Sequence, residues 1–176
     1  KVGQNRDNQG LSEYSIAANN TTTIYFQDAV KPMASGTIQH ADAGDILLGS
    51  LNGVFYTDPT TSKPTFANHY AQVNASDIVA FVSDDPYERF EIQTDISTAS
   101  QQTDVFMNAD IVVTAGNSAN NVSKTQLDDG TLATANGQLK IIAPSTDVDN
   151  SDIGSGYLNW VVMINEHQYN AAVAGV

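Results

Sequence analysis

The sequence predicts an all-β fold, an antiparallel sandwich or barrel with an extended N-terminal arm. The chain is rich in Asn, Thr, Ser, Asp, Ala, Val and Ile, while Lys and Arg together number only 7, so the exposed face of a helix would lack its usual residues. Short runs rich in β-branched and aromatic residues recur along the chain, and turn signals separate them. We therefore expect an arm over residues 1–20 and one β-rich domain over residues 21–176.

The strands are predicted where β-branched and aromatic residues cluster. Because consecutive runs are separated by short polar turns, we expect consecutive strands to be antiparallel neighbours. The predicted strands cover residues 22–26, 45–50, 53–57, 78–83, 89–94, 109–114, 139–142 and 160–164.

The turns are predicted from Gly and Pro. An Asn or Asp followed by Gly favours a two-residue type I′ hairpin, and Asp-Pro opens a turn. The hairpin signals are Asn52-Gly53, Asp129-Gly130 and Asn136-Gly137, and the Asp-Pro turns are Asp58-Pro59 and Asp85-Pro86. Segments 116–121 and 146–156 are rich in Gly, Asn, Ser and Asp, and we expect them to be exposed loops.

The first residues differ from the rest of the chain. Residues 1–10 are nearly all polar, and Leu11, Tyr14 and Ile16 form a sparse apolar set without a clear period. These three side chains cannot bury enough apolar surface to offset the entropy of ordering an arm by themselves. We therefore expect the arm to lie on a partner protein or a neighbouring copy, with Leu11, Tyr14 and Ile16 as its contact residues.

Charge and composition exclude several classes of function. The formal net charge of −13 would repel a phosphate backbone, so we expect no nucleic-acid partner. No stretch reaches the roughly 18 apolar residues of a membrane helix, so no membrane partner is expected. The chain has no cysteine, which excludes disulfides, thiolate metal sites and a cysteine nucleophile. No cofactor is expected.

One acidic segment has the composition of a metal-binding loop. Asp147, Asp149 and Asp152 offer hard oxygen ligands of the kind that calcium prefers. The segment lacks the glycine position and the terminal Glu of an EF-hand, so the sequence predicts a weak calcium site or a solvated acidic loop.

No catalytic motif anchors an enzyme. The three histidines are far apart, and we interpret each as a surface or hydrogen-bonded interior residue: His40, His69 and His167. A glycosidase would need two carboxyl groups at a suitable distance, for which the conceivable candidates are Glu88, Glu91 and Glu166. Aromatic residues could line a sugar-binding platform, but we assign Phe55, Phe81, Phe90 and Trp160 to the core.

An ordered succession of short motifs runs through the C-terminal half. It consists of DDPYERFEIQ at 84–93, TDVFMNAD at 103–110, VSKTQLD at 122–128, LKII at 139–142, DN at 149–150 and VVMINEHQY at 161–169. The succession resembles a group of virion structural proteins of tailed phages, including marine and cyanobacterial phages, that decorate or cement the head. The resemblance covers residues 78–169, and the first seventy residues diverge.

The resemblance implies a non-enzymatic protein on the outer surface of the capsid, assembled in the host cytoplasm. Its partner would be the major capsid protein, whose neighbouring copies it would bridge, and it would form a homo-oligomer, a dimer or a trimer. No catalytic residue comes with the resemblance. The alternative is a carbohydrate-binding module of a phage fibre or bacterial surface protein. A glycoside hydrolase or lyase fragment is a third hypothesis.

Overall fold

The computed structural model describes residues 10–176, and the regular structure in this range is almost entirely β. Every pairing between named strands is antiparallel, so the predicted all-β antiparallel fold is confirmed. Two short 3₁₀ helices, Gln102–Asp104 and Asp129–Thr131, interrupt the strands. The strands are β1 (Ser12–Ser15), β2 (Ala29–Pro32), β3 (Ile38–His40), β4 (Gly49–Thr57), β5 (Pro64–Ala67), β6 (Val79–Ser83), β7 (Phe90–Gln93), β8 (Asn108–Ala109), β9 (Ile111–Val112), β10 (Gln126–Leu127), β11 (Leu139–Pro144) and β12 (Asn159–Ile164).

The N-terminal half forms a six-stranded sheet around β4. The strand order is β1-β6-β4-β2-β3, and β5 pairs with the C-terminal part of β4. One face of the sheet covers the first core cluster, whose buried members include Ile16, Ile24, Val30, Ile38, Leu48, Leu51, Val54, Tyr56, Tyr70, Ile78, Ala80 and Val82.

A β-bulge divides β4. Opposite β6, the register passes from Leu51 to Gly53, so Asn52 is an extra residue in the strand. Before the bulge, Gly49 and Leu51 face the core, whereas after it Val54 and Tyr56 do. The bulge therefore shifts the alternation by one residue and turns the following odd-numbered side chains away from the core.

The C-terminal half forms a four-stranded sheet in the order β7-β12-β11-β8, together with a two-stranded ribbon of β9 and β10. Trp160, predicted to lie in the core, is 1% exposed, and Phe90 packs at the margin of the same cluster. This second core cluster includes Leu47, Ile111, Leu127, Leu139, Ile141, Leu158, Trp160, Val162 and Ile164.

The two halves meet where the chain before β4 lies beside the segment after β12. Leu47 donates its N–H to the Glu166 carbonyl at 2.9 Å and accepts from the Gln168 N–H at 2.8 Å. Gln138, fully buried, adds hydrogen bonds from its side chain to the carbonyls of Asp42 and Asp45 at 2.9 and 2.8 Å. Backbone pairing and one buried amide therefore join the two sheets.

The prediction of an extended arm over residues 1–20 is wrong for the part of this segment that the structure describes from Ser12 onward. Residues 1–9 lie outside the described range. From Ser12 onward the chain pairs with β6 as an edge strand of the six-stranded sheet, and Ile16 is a core residue. The apolar residues that looked too few for an arm are sufficient here because Ala80 and Val82 of β6 complete the same core cluster.

Most predicted strands are found, with changes at their ends. Segment 22–26 is the exception, since it makes only isolated bridges from Ile24 and Phe26. Run 53–57 lies wholly in β4, whereas only Gly49 and Ser50 of run 45–50 belong to that strand. Consecutive strands are neighbours only in part, because β4 pairs with β6 and β1 pairs with β6 across the intervening chain.

The turn signals have mixed outcomes. Both Asp-Pro turns are confirmed: the Asp58 carboxylate accepts from the Thr60 and Thr61 N–H groups at 2.8 Å, and Glu88 N–H donates to the Asp85 carbonyl at 3.0 Å. The three predicted hairpins are wrong. Asn52-Gly53 is the bulge, Asp129-Gly130 lies in a 3₁₀ helix, and Asn136-Gly137 lies in a loop that passes from one side of β8 to the other.

Segments 116–121 and 146–156 lie outside the named strands, as predicted; segment 146–156 is mostly exposed, whereas half of segment 116–121 is partly buried. Across residues 10–176, no helix has the length and apolar character that a membrane crossing requires.

Candidate protein-binding surface

Two exposed phenylalanines and a third that is partly buried form a patch on the outer face of the six-stranded sheet. Phe55 of β4 lies directly opposite Phe66 of β5, and the rings of Phe66 and Phe81 have centroids 6.0 Å apart. Phe66 is 64% exposed and Phe55 is 40% exposed. We call Phe55, Phe66 and Phe81 the aromatic patch; because it lies on three paired strands, the backbone beneath it is fixed.

The bulge in β4 is what creates this patch. Without the extra residue, position 55 would share the inward face of Leu51, but the shifted alternation turns it outward. Gly53 then supplies the space for a ring, since a Cβ there would lie 2.9 Å from Cζ of Phe66. The missing side chain thus seats the ring of Phe66 against the sheet.

The aromatic patch has an apolar neighbour on β6 and polar neighbours on β1. On β6, Val79 lies opposite Phe55 and extends the apolar surface. On β1, the exposed side chains of Glu13 and Ser15 lie opposite Phe81 and Val79 and form a polar margin. An apolar centre with a polar rim is the usual anatomy of a protein-binding surface.

The sequence assigned Phe55 and Phe81 to the core, and both assignments are wrong. Phe81 alternates with Ala80 and Val82, which are fully buried, so its side chain must point to the opposite face. The sequence carried no signal for this, because four consecutive apolar residues from Val79 to Val82 are typical of a strand that is covered on both faces.

The predicted contact residues of the arm do not belong to the aromatic patch but lie in and beside strand β1. Ile16 is 3% exposed and therefore cannot contact a partner surface. Tyr14 packs at the margin of the first core, and Leu11 is partly buried just before β1. Leu11, Tyr14 and Ile16 are thus joined by β1, but they are parts of the sheet rather than of a mobile contact segment.

Tyr14 belongs to a hydrogen-bonded cluster with Asp84. Its hydroxyl donates to one Asp84 carboxylate oxygen at 2.5 Å and lies 2.6 Å from the Tyr169 hydroxyl, while the Ser12 hydroxyl donates to the other Asp84 oxygen at 2.8 Å. Burial, followed by the hydrogen bond to Asp84, raises the pKa of Tyr14 far above its ordinary value. The phenol is therefore a neutral donor that attaches β1 to the end of β6.

The calcium candidate does not form a ligand set. Within residues 10–176, no group of three His, Asp or Glu side chains converges in a way that could hold a metal ion. In the exposed loop, the Asp147 carboxylate accepts from the Asp149 N–H at 3.5 Å, and Asp152 lies further along the same loop. The solvated acidic loop is the interpretation that this geometry favours.

The conceivable glycosidase carboxylates have separate places. Glu88 is exposed just before β7 and Glu91 is exposed within it, whereas Glu166 accepts from the Gly137 N–H at 3.2 Å. Among the described residues, the carboxyl whose pKa is raised is that of Asp129, through burial first and then through the charges of Asp104, Asp95 and Asp128. Asp129 was not among the candidates. Its raised pKa alone does not identify a second carboxyl group placed opposite it, as a glycosidase would need.

The histidines also differ in their surroundings. His40 Nε2 lies 3.5 Å from an Asp28 carboxylate oxygen, and His69 stacks on Tyr25 with ring centroids 6.3 Å apart. His167 is fully buried, which lowers its pKa. The prediction of hydrogen-bonded interior or surface histidines holds for His40 and His69, whereas one nitrogen of His167 has no partner among residues 10–176.

Comparison of the chain with protein-family models, with curated proteins and with solved structures gives no match.

Proposed function

We propose that this protein is a non-enzymatic virion structural protein that binds the outside of a phage head and stabilises contacts between major capsid proteins. The observation that carries the proposal is the aromatic patch of Phe55, Phe66 and Phe81. Exposed aromatic groups of this kind are enriched at protein interfaces, where they bury large areas with little loss of side-chain freedom. The order of motifs in the C-terminal half supports the same class of protein.

A rigid patch suits a partner that is itself a preformed surface. Strand pairing fixes the backbone beneath Phe55 and Phe66, so binding requires little ordering of this surface. On a capsid the same small contact repeats over the lattice, and self-association into dimers or trimers would multiply weak contacts into stable attachment. The proposed bridging of neighbouring capsid proteins uses this avidity.

The charge of the protein supports an exterior location on the virion. A formal net charge of −13 repels packaged nucleic acid, so a position on the outer surface is electrostatically favoured over one inside the head. The proposed location is the outer surface of the capsid, after assembly in the host cytoplasm.

A carbohydrate-binding module is the competing proposal, because aromatic rings can also stack on sugars. We favour a protein partner because Phe55, Phe66 and Phe81 offer no hydrogen-bonding group, whereas sugar hydroxyls need precisely placed polar partners. The polar residues nearest to the patch, Glu13 and Ser15, lie at its margin.

Co-sedimentation with expanded, undecorated heads tests the proposal, with unexpanded procapsids for comparison. The wild-type chain should bind expanded heads saturably. The double variant Phe55→Ser and Phe66→Ser should bind about tenfold more weakly or not at all, because it removes the apolar centre of the surface. Its unfolding midpoint must first be shown to lie close to that of the wild type.

Tyr87→Ser is the matched control, since Tyr87 is an isolated aromatic residue that is 83% exposed. This variant should bind like the wild type. Undiminished binding by the double variant would remove the patch from the mechanism. Glycan binding by a chain that binds no heads would replace the capsid proposal with the carbohydrate-binding one, and sedimentation velocity would report the number of subunits.

A further inference from the structure

The pair Asn136-Gly137, whose hairpin prediction was wrong, lies in the loop between the 3₁₀ helix Asp129–Thr131 and β11. Asn136 is exposed, and its side chain forms no hydrogen bond with any of residues 10–176. The side-chain amide is therefore free to rotate about its own bonds. Such a rotation brings its Cγ towards the backbone nitrogen of the next residue, Gly137.

Gly137 is held at both of its backbone polar groups. Its N–H donates to the Glu166 carboxylate at 3.2 Å, and its carbonyl accepts from the side-chain amide of Asn165 at 2.9 Å. Glu166 is partly buried, so solvent does not fully screen this contact. A carboxylate thus lies directly on the proton of the backbone nitrogen that follows Asn136.

The packing of the loop requires glycine at position 137. Gly137 is buried and has a φ of +135°, and a Cβ there would lie 2.8 Å from the Ala109 nitrogen and 3.0 Å from the Asn108 Cβ. The same lack of a side chain leaves the Gly137 nitrogen open to attack on the neighbouring amide. The loop therefore combines a freely rotating Asn, an unhindered backbone nitrogen and a base in contact with that nitrogen.

We propose that Asn136 is a site of spontaneous modification, in which Glu166 acts as the general base for succinimide formation. Glu166 takes the Gly137 amide proton, and the nitrogen forms a bond to Cγ of Asn136. The bond from Cγ to Nδ2 breaks, and Nδ2 leaves as ammonia with the proton that Glu166 returns. Water then opens the succinimide to aspartate or isoaspartate. The reaction needs no cofactor and no partner protein.

The second Asn-Gly pair of the chain provides an internal comparison. The Asn52 side chain donates to the Ser50 carbonyl at 3.3 Å, and Gly53 lies opposite Phe81 within paired strands. Among residues 10–176, no carboxylate accepts from the Gly53 N–H, in contrast to Gly137. The fold should therefore slow the reaction at Asn52 and accelerate it at Asn136, relative to the unfolded chain.

The modification would act on the junction between the two sheets. It places a new carboxylate beside Glu166, and like charges weaken the hydrogen bond from Gly137 to Glu166. The backbone carbonyl of Glu166 accepts from the Leu47 N–H, so this residue belongs to the pairing that joins the sheets. Ageing of the loop should therefore loosen the junction.

The direct test follows the mass of one peptide after incubation of the full chain at mildly alkaline pH, folded or unfolded in urea. Cleavage after Lys124 and Lys140 releases peptide 125–140, in which Asn136 is the only Asn. Conversion of Asn136 should be faster in the folded chain than in urea, whereas conversion of Asn52 should be slower. Slower conversion of Asn136 in the folded chain would overturn the proposal.

Glu166→Gln separates a base from a hydrogen-bond acceptor. Its side-chain oxygen can still accept from the Gly137 N–H, but it cannot take the proton. Conversion of Asn136 in the folded variant should be at least about tenfold slower than in the wild type. Glu88→Gln, at an exposed position before β7, should leave the rate unchanged. An unchanged or higher rate in Glu166→Gln would show that the carboxylate only restrains Gly137 and would overturn the proposal.

Two further measurements apply if Glu166→Gln does not fold. With an internal base, the rate at Asn136 in the folded wild type should not depend on phosphate concentration, and a rate proportional to phosphate would overturn the proposal. Asn136→Asp, which reproduces one product, should have a lower urea midpoint than Asn74→Asp, which adds the same charge at an exposed position. Equal midpoints would overturn the effect on the junction.

Discussion

His167 is a buried histidine whose surroundings favour the neutral ring. Its Nδ1 accepts from the Tyr169 N–H at 3.0 Å, so the proton of the neutral ring must lie on Nε2. Burial lowers the pKa of His167 below its ordinary value, although the nearby charges of Asp84 and Asp85 act in the opposite direction. The residue lies where Leu47 and the segment after β12 form their bridge.

This environment predicts acid sensitivity. A histidine whose folded-state pKa is lowered contributes stability that is present above its unfolded pKa of about 6.5 and is lost as the pH falls toward the folded pKa. The urea midpoint of the wild type should therefore fall between pH 7.5 and pH 5.5. In His167→Gln the fall should be smaller, even though the variant is less stable at pH 7.5 because its packing changes.

His69→Gln serves as the comparison, because burial lowers the pKa of His69 but the residue is less buried than His167. The hypothesis is abandoned if His167→Gln loses as much stability as the wild type over the same pH range.

At the scale of the element, the bulge in β4 determines which face of the sheet carries the aromatic patch. Gly53 has a φ of +153°, a conformation that residues with side chains rarely adopt, and it lies beneath the Phe66 ring. The glycine thus allows the backbone conformation of the bulge and also leaves space for the Phe66 ring.

Gly53→Ala should destabilise the protein by about 3 kcal/mol, because the Cβ adds backbone strain and contacts both the Phe66 ring and the Ala67 carbonyl oxygen. Gly36→Ala is the matched control: Gly36 has a φ of +76°, but nothing lies within 4 Å of an added Cβ. The control should lose about 1 kcal/mol from strain alone. Equal losses in urea unfolding would show that the ring is not seated by Gly53.

The strands were more predictable than the turns for a physical reason. Runs such as 78–83 and 160–164 are apolar and β-branched, so their local preference and their burial agree. The Asn52-Gly53 signal reports only a backbone that tolerates positive φ, which both hairpins and bulges use. Whether the chain then reverses depends on β6, a strand distant in sequence.

At the scale of the whole molecule, Gln138 joins parts that are remote in sequence. Its amide donates to the Asp42 and Asp45 carbonyls, and its side-chain oxygen accepts from the Ile111 N–H at 3.0 Å. The side chain of Gln138 is fully buried. A buried amide with every contact satisfied ties the loop before β4 to the second sheet.

Gln138→Leu should therefore cost about 3 kcal/mol of unfolding free energy, because it leaves the Ile111 N–H and two carbonyls without partners. Gln102→Leu, at an exposed position, should change it by less than about 0.5 kcal/mol. Thermal and urea unfolding of both variants measure the difference, and a Gln138→Leu protein as stable as the wild type would contradict this role.

The candidate surfaces were less predictable than the fold. The all-β class followed from composition, but Phe55 and Phe81 were placed in the core because the sequence does not show which face of a strand is covered. Likewise, Glu91 was considered as a catalytic carboxylate, whereas it lies exposed on β7, a strand that pairs with β12 from a distant part of the chain. Both features depend on long-range pairing, which no local pattern encodes.

That same pairing has a consequence for how the chain folds. Strand β1 can pair only after β6 has been synthesised, and Leu47 can form its backbone hydrogen bonds only when Glu166 and Gln168 lie beside it. Such high contact order slows folding, because loops must close before native contacts compensate for the lost entropy. During synthesis the chain must therefore be extended at least as far as Gln168 before the junction between the sheets can form.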